Sequence, residues 1–191
     1  MELAAVLEQN REVILEKWFE AIIGTYPQQT SQFLSKQKDR FRNPVGYAIE
    51  RSIGPIYDQV IASMDADSLR ESLDGIIRIR SVQEFSPSEA VAFVFELKSI
   101  VRDALGARGR EYERSGDLAV IDQRIDTVAM LAFDTYTECR QKLFDIRTDE
   151  IRRQSTKLLE RYTKRTAHPN TTENLPMTSS DPSIQKRGGG R

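Results

Sequence analysis

Residues 76–102, IIRIRSVQEFSPSEAVAFVFELKSIVR, constrain the fold more than any other stretch of this chain. Two apolar runs of helical period meet there at a sharp start signal. Ser86 stands before Pro87, and Glu89 follows three residues after Ser86. The serine and glutamate side chains can satisfy the first free backbone donors of a new helix, and proline fits its first position. Before this break, Leu69, Leu73, Ile76 and Ile77 share one helical face. After it, Val91, Val94, Phe95, Val101 and Arg102 share another. Each stripe also carries a cation, Arg80 on the first and Lys98 on the second. A cation on a face that packs inward needs a partner. The spacing therefore predicts that Arg80 and Lys98 are each at least half buried and that one or both pair with a protein carboxylate. An anionic small molecule, or an acid on a partner protein, is the alternative occupant of the Arg80/Lys98 region.

The same helical rhythm covers nearly everything up to residue 166, which predicts an all-α bundle of about six helices. The first spans about 2–24, with Leu3, Val6, Leu7, Ile14, Trp18 and Ile22 on one side, and Gly24 and Pro27 stop it. A short helix follows at about 28–40. Asn43 caps a third, with Pro44 at its first position and an interior Gly54-Pro55 pair that is expected to kink or split it before Met64. Asp65 or Asp67 opens a fourth at about 67–84, and Ser86 opens a fifth at about 87–106. The stretch 106–117 reads as a charged turn or helical corner. No strand alternation and no internal repeat interrupts the pattern.

The last helix is the longest. Leu118, Ile121, Ile125, Val128, Ala132, Thr135 and Cys139 recur at alternating steps of three and four, and Leu143 and Ile146 continue the rhythm. That is a narrow seam at heptad spacing, to be buried against the domain or against a second copy. Beyond it the apolar density collapses to Ile151, Leu158, Leu159 and Tyr162. The expected organisation is a helical domain at 1–146, a basic helical extension at 147–166 that projects from it, and a disordered tail at 167–191 rich in proline, glycine and polar residues. The extension carries seven basic and three acidic residues in a chain whose net charge is −1, so the body is acidic. An acidic body with a basic extension suits docking on an acidic partner or pairing between copies; a solvated helix of mixed charge fits as well.

Several chemistries lack their residues. The one histidine, His168, falls in the tail, which argues against a histidine-based catalytic dyad or a multi-histidine metal site in the body. The one cysteine, Cys139, sits on the apolar seam and reads as a buried, inert thiol. Neither a P-loop nor a Rossmann glycine fingerprint is present. Near-neutral charge gives no case for nucleic acid, and no apolar run approaches the ~20 residues that span a bilayer. The acidic, amphipathic N-terminus is not a signal peptide. The expectation is a cytoplasmic, non-enzymatic protein without cofactor, metal or catalytic residues.

Four segments carry a family resemblance: KWFEAIIGTYP at 17–27, QKDRFRNPVGY at 37–47, IIRIRSVQEFSPSEAVAFVFELK at 76–98 and CRQKLFDIRTDEIRR at 139–153. Together they resemble the N-terminal domain of the RsbRD-type RsbT co-antagonists over about residues 2–155. The resemblance implies a globin-like fold without haem, a homodimer, and a sensory role in stress signalling, with the terminal helix leading towards an effector. Here only the tail of about 25 residues follows the extension, too few for an effector domain, so the chain resembles a free-standing sensor module. Its partner would be an unidentified signalling protein. The output and dimer helix would be read through Leu118, Ile121, Ile125, Val128, Leu143, Ile146, Ile151, Leu158 and Tyr162. The competing reading is a binding protein for an anionic small molecule at Arg80 and Lys98.

Overall fold

The computed structural model describes residues 2–167 apart from Lys38, Ser63 and Glu84, with side chains described through Lys164. Ala167, the first residue of the expected tail, still belongs to the last helix; the rest of that tail, with His168, lies outside the described residues. Among the described residues the chain is all-α: α1 (Leu3–Gln9), α2 (Arg11–Gly24), α3 (Gln28–Lys36), α4 (Pro44–Ile61), α5 (Ala66–Val82), α6 (Pro87–Leu105), a 3-10 turn at Gly106–Arg108, α7 (Gly109–Ser115) and α8 (Asp117–Ala167). The chain divides into two units, Met1–Arg147 and Thr148–Arg191.

Most starts and stops follow local chemistry. The Ser86 hydroxyl accepts from the Glu89 amide while the Glu89 carboxylate accepts from the Ser86 amide, so α6 opens on a complete capping box. Asn43 serves two helices at once. Its Oδ1 accepts from the Gly46 amide at 2.8 Å and opens α4, while its Nδ2 donates to the carbonyls of Leu34 and Gln37 at the end of α3. Asp65 caps α5 through the Ser68 amide.

Two expectations change, and a third takes its helical form. The first helix breaks at Asn10, whose φ of −99° and ψ of 6° leave the helical region. Its side-chain amide donates to the Val6 carbonyl at 2.8 Å, an alternative to continuing the ladder that short polar side chains offer. The Gly54-Pro55 pair does not split α4, which runs through it. Arg51 and Pro55 are both exposed, so the hydrogen bond that proline removes falls on the solvent side. Within the 106–117 corner, α7 forms after Gly106 and ends at Gly116, which takes φ of 83°, a left-handed conformation suited to glycine.

The core of the first unit gathers one face from each major helix. Trp18, Ile22, Ile56, Tyr57, Leu73, Ile77, Val94, Leu97, Ile125 and Val128 are all fully buried. The two polar aromatics keep their polar ends satisfied: Trp18 Nε1 donates to the Phe93 carbonyl at 2.7 Å, and the Tyr57 hydroxyl donates to the Leu7 carbonyl at 3.0 Å. Helices α4 and α5 approach closely because Gly75 has no side chain; a Cβ there would lie 2.7 Å from Ser52 Oγ.

The apolar face of α6 is rotated from its expected position. Phe93 and Leu97 are buried, whereas Phe95 is 48% exposed. Phe93 faces inward because both Trp18 and Arg80 lie against its ring, and Phe95 sits a turn-fraction away on the rim.

Candidate functional site

Arg80 ends α5 and is completely buried. Its Nη1 donates to the Glu89 carbonyl in the first turn of α6 at 3.0 Å. Its Nη2 donates to the Ile22 carbonyl at 3.2 Å and to the Thr25 hydroxyl at 2.8 Å, at the end of α2. The guanidinium also lies over the rings of Phe85, Phe93 and Tyr26, with 4.7, 5.2 and 5.6 Å to the centroids. Among the described residues none of its partners is a carboxylate: carbonyls, a hydroxyl and aromatic faces surround it, and of the two cations it is Lys98 that has the expected carboxylate partner. The Ile22 carbonyl at the C-terminus of α2 carries partial negative charge, and together with the Thr25 hydroxyl and three ring faces it stands in for a formal counter-ion. Burial pushes the guanidinium below its ordinary value, and Tyr26 pulls the other way. Burial also raises the Tyr26 phenol, against the lowering effect of Arg80. Arginine retains its proton under such strain.

Lys98 stands elsewhere. It is partly exposed and pairs with Asp126 of α8 at 2.6 Å, one turn from a second pair between Arg102 and Asp122. These two rungs tie α6 to α8. Arg80 and Lys98 share no partner in the structure, so the two cations do not converge on one ligand. The carbonyl-end use of arginine recurs instead. Arg124 Nη1 donates to the Val60 and Ile61 carbonyls at the end of α4, each at 2.9 Å, and Arg140 Nη1 donates to the Ser81 carbonyl at the end of α5 at 3.2 Å. Tyr136 adds a bond from its hydroxyl to the Phe85 carbonyl at 2.8 Å. Sequence reasoning missed Arg124 and Arg140. Both lie off the apolar seam of α8, and their acceptors are brought to them by the tertiary fold.

The α8 seam divides. Leu118, Ile121, Ile125 and Val128 are buried, as are Ala132, Thr135 and Tyr136. Cys139 and Leu143 are partly buried, and Ile146 is 63% exposed, so burial fades two turns before the expected end of the seam. A different set of apolar side chains faces outward. Met130, Phe144, Ile151 and Leu158 fall at multiples of seven residues from one another, and each is 64% exposed. Phe133, Leu159 and Tyr162 are exposed beside them.

Two of the concavities among the described residues bear on ligand binding. The larger, about 770 Å³, lies among α2, α3 and α4 over Phe19, Ile23 and Ile53. Glu12, Glu16, Glu20 and Glu50 line it, the wrong charge for an anion. The second, about 630 Å³, lies between the α5–α6 corner and α8. Phe85, Phe133 and Tyr136 form its apolar wall, and Arg140 and Arg147 stand at it. Among the described residues no group of three or more histidine, cysteine, aspartate or glutamate side chains is placed to hold a metal ion. No described helix is long and apolar enough to cross a membrane.

The sequence profile of the RsbT co-antagonist protein rsbRD N-terminal domain matches residues 12–152. An uncharacterised protein of Archaeoglobus fulgidus is 22% identical over 144 residues, which cover 74% of this chain and 84% of that protein. No solved structure matches the chain.

Proposed function

This chain belongs to the RsbT co-antagonist protein rsbRD N-terminal domain family, and from that membership we propose that it is a non-enzymatic regulatory module of stress or metabolic signalling that acts by protein–protein contact. The family is one of stress-signalling regulatory domains. In our reading the body is a globin-like bundle without haem that works in the cytoplasm, and α8 is the output element on which two copies pair.

The observation that carries this reading is the outward stripe of α8. Met130, Phe144, Ile151 and Leu158 fall at multiples of seven residues from one another, and each is 64% exposed. Seven-residue spacing is what a partner helix reads. The intervening seam positions Gln141, Thr148 and Ser155 are polar. Polar residues at every second seam position cost pairing strength while keeping register. Pairing of that kind is weak and easily shifted, which is what a relay element requires. Exposed apolar side chains scattered singly need no explanation, but a periodic set on one helix does.

Sedimentation equilibrium of the full chain tests the proposal. A concentration-dependent dimer is expected, and Phe144→Asp is expected to shift it towards monomer with an unchanged circular dichroism spectrum. A wild-type chain that stays monomeric up to about millimolar concentration, or a dimer indifferent to Phe144→Asp, removes the outward stripe as the pairing surface.

A further inference from the structure

The pocket between the α5–α6 corner and α8 has the chemistry of a site for a small amphiphilic anion. Its volume, about 630 Å³, lies within the range of small-molecule pockets. Phe85, Phe133 and Tyr136 offer ring faces, and Phe133 is half exposed there with no aromatic partner of its own among the described rings. Arg140 and Arg147 bring two guanidinium groups to the same wall. One acid, Glu89, also lines it, but its carboxylate is held at 2.9 and 2.7 Å by the Ser86 amide and hydroxyl. That carboxylate stays charged, but two guanidinium groups against one carboxylate leave the wall net positive. Arginine binds a carboxylate through two parallel N–H donors, and the aromatic wall lies beside those donors.

We propose that this pocket binds a small aromatic carboxylate, ring against Phe85 and Phe133 and carboxylate against Arg140 and Arg147, and that its occupation is an input to α8. The binding site stands on its own geometry, while the input role rests on the regulatory reading above. The pocket lies where the buried seam of α8 gives out, just after Tyr136. Two bonds tie α8 to the corner there, from the Tyr136 hydroxyl to the Phe85 carbonyl and from Arg140 to the Ser81 carbonyl. A carboxylate competes with the Ser81 carbonyl for Arg140. Binding thus exchanges an internal tie for a ligand-bridged one and shifts how firmly α8 is held beside the outward Phe144.

Titration of the full chain with 3-phenylpropionate, followed in amide nitrogen–proton correlation spectra, tests this. Saturable shifts are expected at Phe85, Phe133 and Thr137. Arg147 is exposed, so Arg147→Gln should leave the spectrum folded and weaken binding about tenfold. The neutral amide of the same acid should weaken it similarly, and Arg114→Gln, away from the pocket, should change nothing. No saturation by about 10 mM, equal binding of acid and amide, or binding indifferent to Arg147→Gln overturns the site and leaves the regulatory reading standing. Sedimentation with and without the acid then tests the input role. A ligand-dependent shift in the dimer equilibrium supports it, and an unchanged equilibrium at saturation overturns it while the site remains.

Discussion

Between Leu118 and Tyr136, helix α8 buries a side chain at nearly every third or fourth position; between Asp149 and Lys164 every described side chain is exposed. Both segments are helical, and both carry apolar residues at helical spacing. They differ in burial. Ile125 is fully buried, while Ile151, on the same helix, is 64% exposed. The cations follow the same division. Arg80 and Arg124 spend donors on carbonyl oxygens at helix ends, whereas the side chains of Arg152, Arg153 and Arg161 are exposed. One lesson is that helical period alone does not say which apolar stripe is core. A stripe is core where other elements arrive to cover it, and otherwise it is surface available to a partner.

The strongest test of this division is Arg80. Arg80→Ala removes charged donors from the Ile22 and Glu89 carbonyls and the Thr25 hydroxyl, and leaves a hole among three rings. Together these should cost about 3–5 kcal/mol and lower the urea midpoint accordingly. Arg80→Lys should recover only part of the loss, because a lysine cannot present the same fork of donors. A change below about 0.5 kcal/mol for the alanine variant would mean that the junction contributes nothing to stability. Next in size is Ile125→Ala, expected to cost about 2–4 kcal/mol through lost transfer energy and the cavity left behind. A near-neutral result there breaks the distinction between the two parts of α8 from the buried side.

A third test uses pH. Burial raises the Tyr57 phenol well above its ordinary value, and burial also raises Tyr26. Both groups hold their protons more tightly in the folded than in the unfolded chain. Their stabilising contribution is therefore fully present below the ordinary tyrosine value of ~10 and is lost as pH climbs beyond it. Urea midpoints should fall steeply above that point. Tyr57→Phe should flatten the fall, at a cost of about 1 kcal/mol at neutral pH for the hydrogen bond to Leu7. An unchanged alkaline slope in that variant would assign the effect to other groups.

Much of this architecture was legible in the sequence, and the part that was not has a common cause. Ser86-Pro87-Glu89 and Asn43-Pro44 fixed two helix starts, and Asp65 or Asp67 offered a third, because capping is local chemistry. Arg80 stood out because an arginine on an apolar stripe is costly. The identity of its partners was not legible, since the Ile22 carbonyl and the Phe93 ring come from distant parts of the chain. The choice between Phe93 and Phe95 for the core failed for the same reason. The two residues differ by 200° around α6, and only the positions of Trp18 and Arg80 decide between them. Arg124 and Arg140 were invisible because their acceptors are backbone atoms, which no residue type announces. The pocket at Arg140 and Arg147 needed the α5–α6 corner to be brought beside α8, which no periodicity encodes.

The smallest expected effect on stability completes the comparison and bears most directly on function. Ile151→Ser changes an apolar side chain that is 64% exposed, so the monomer loses little buried area and stability should move by no more than about 0.5 kcal/mol. Serine is a poorer helix former than isoleucine by only a few tenths of a kcal/mol, within that range. If Ile151 belongs to a pairing stripe, the same substitution should weaken the dimer by about tenfold or more, since burying such a side chain is worth roughly 1.5–3 kcal/mol. The two measurements separate the alternatives. Loss of monomer stability with an unchanged dimer makes 148–164 part of the folded core. Loss of neither makes this segment a solvated helix with mixed charge. Loss of pairing alone is the result that the outward heptad spacing of Phe144, Ile151 and Leu158 leads one to expect.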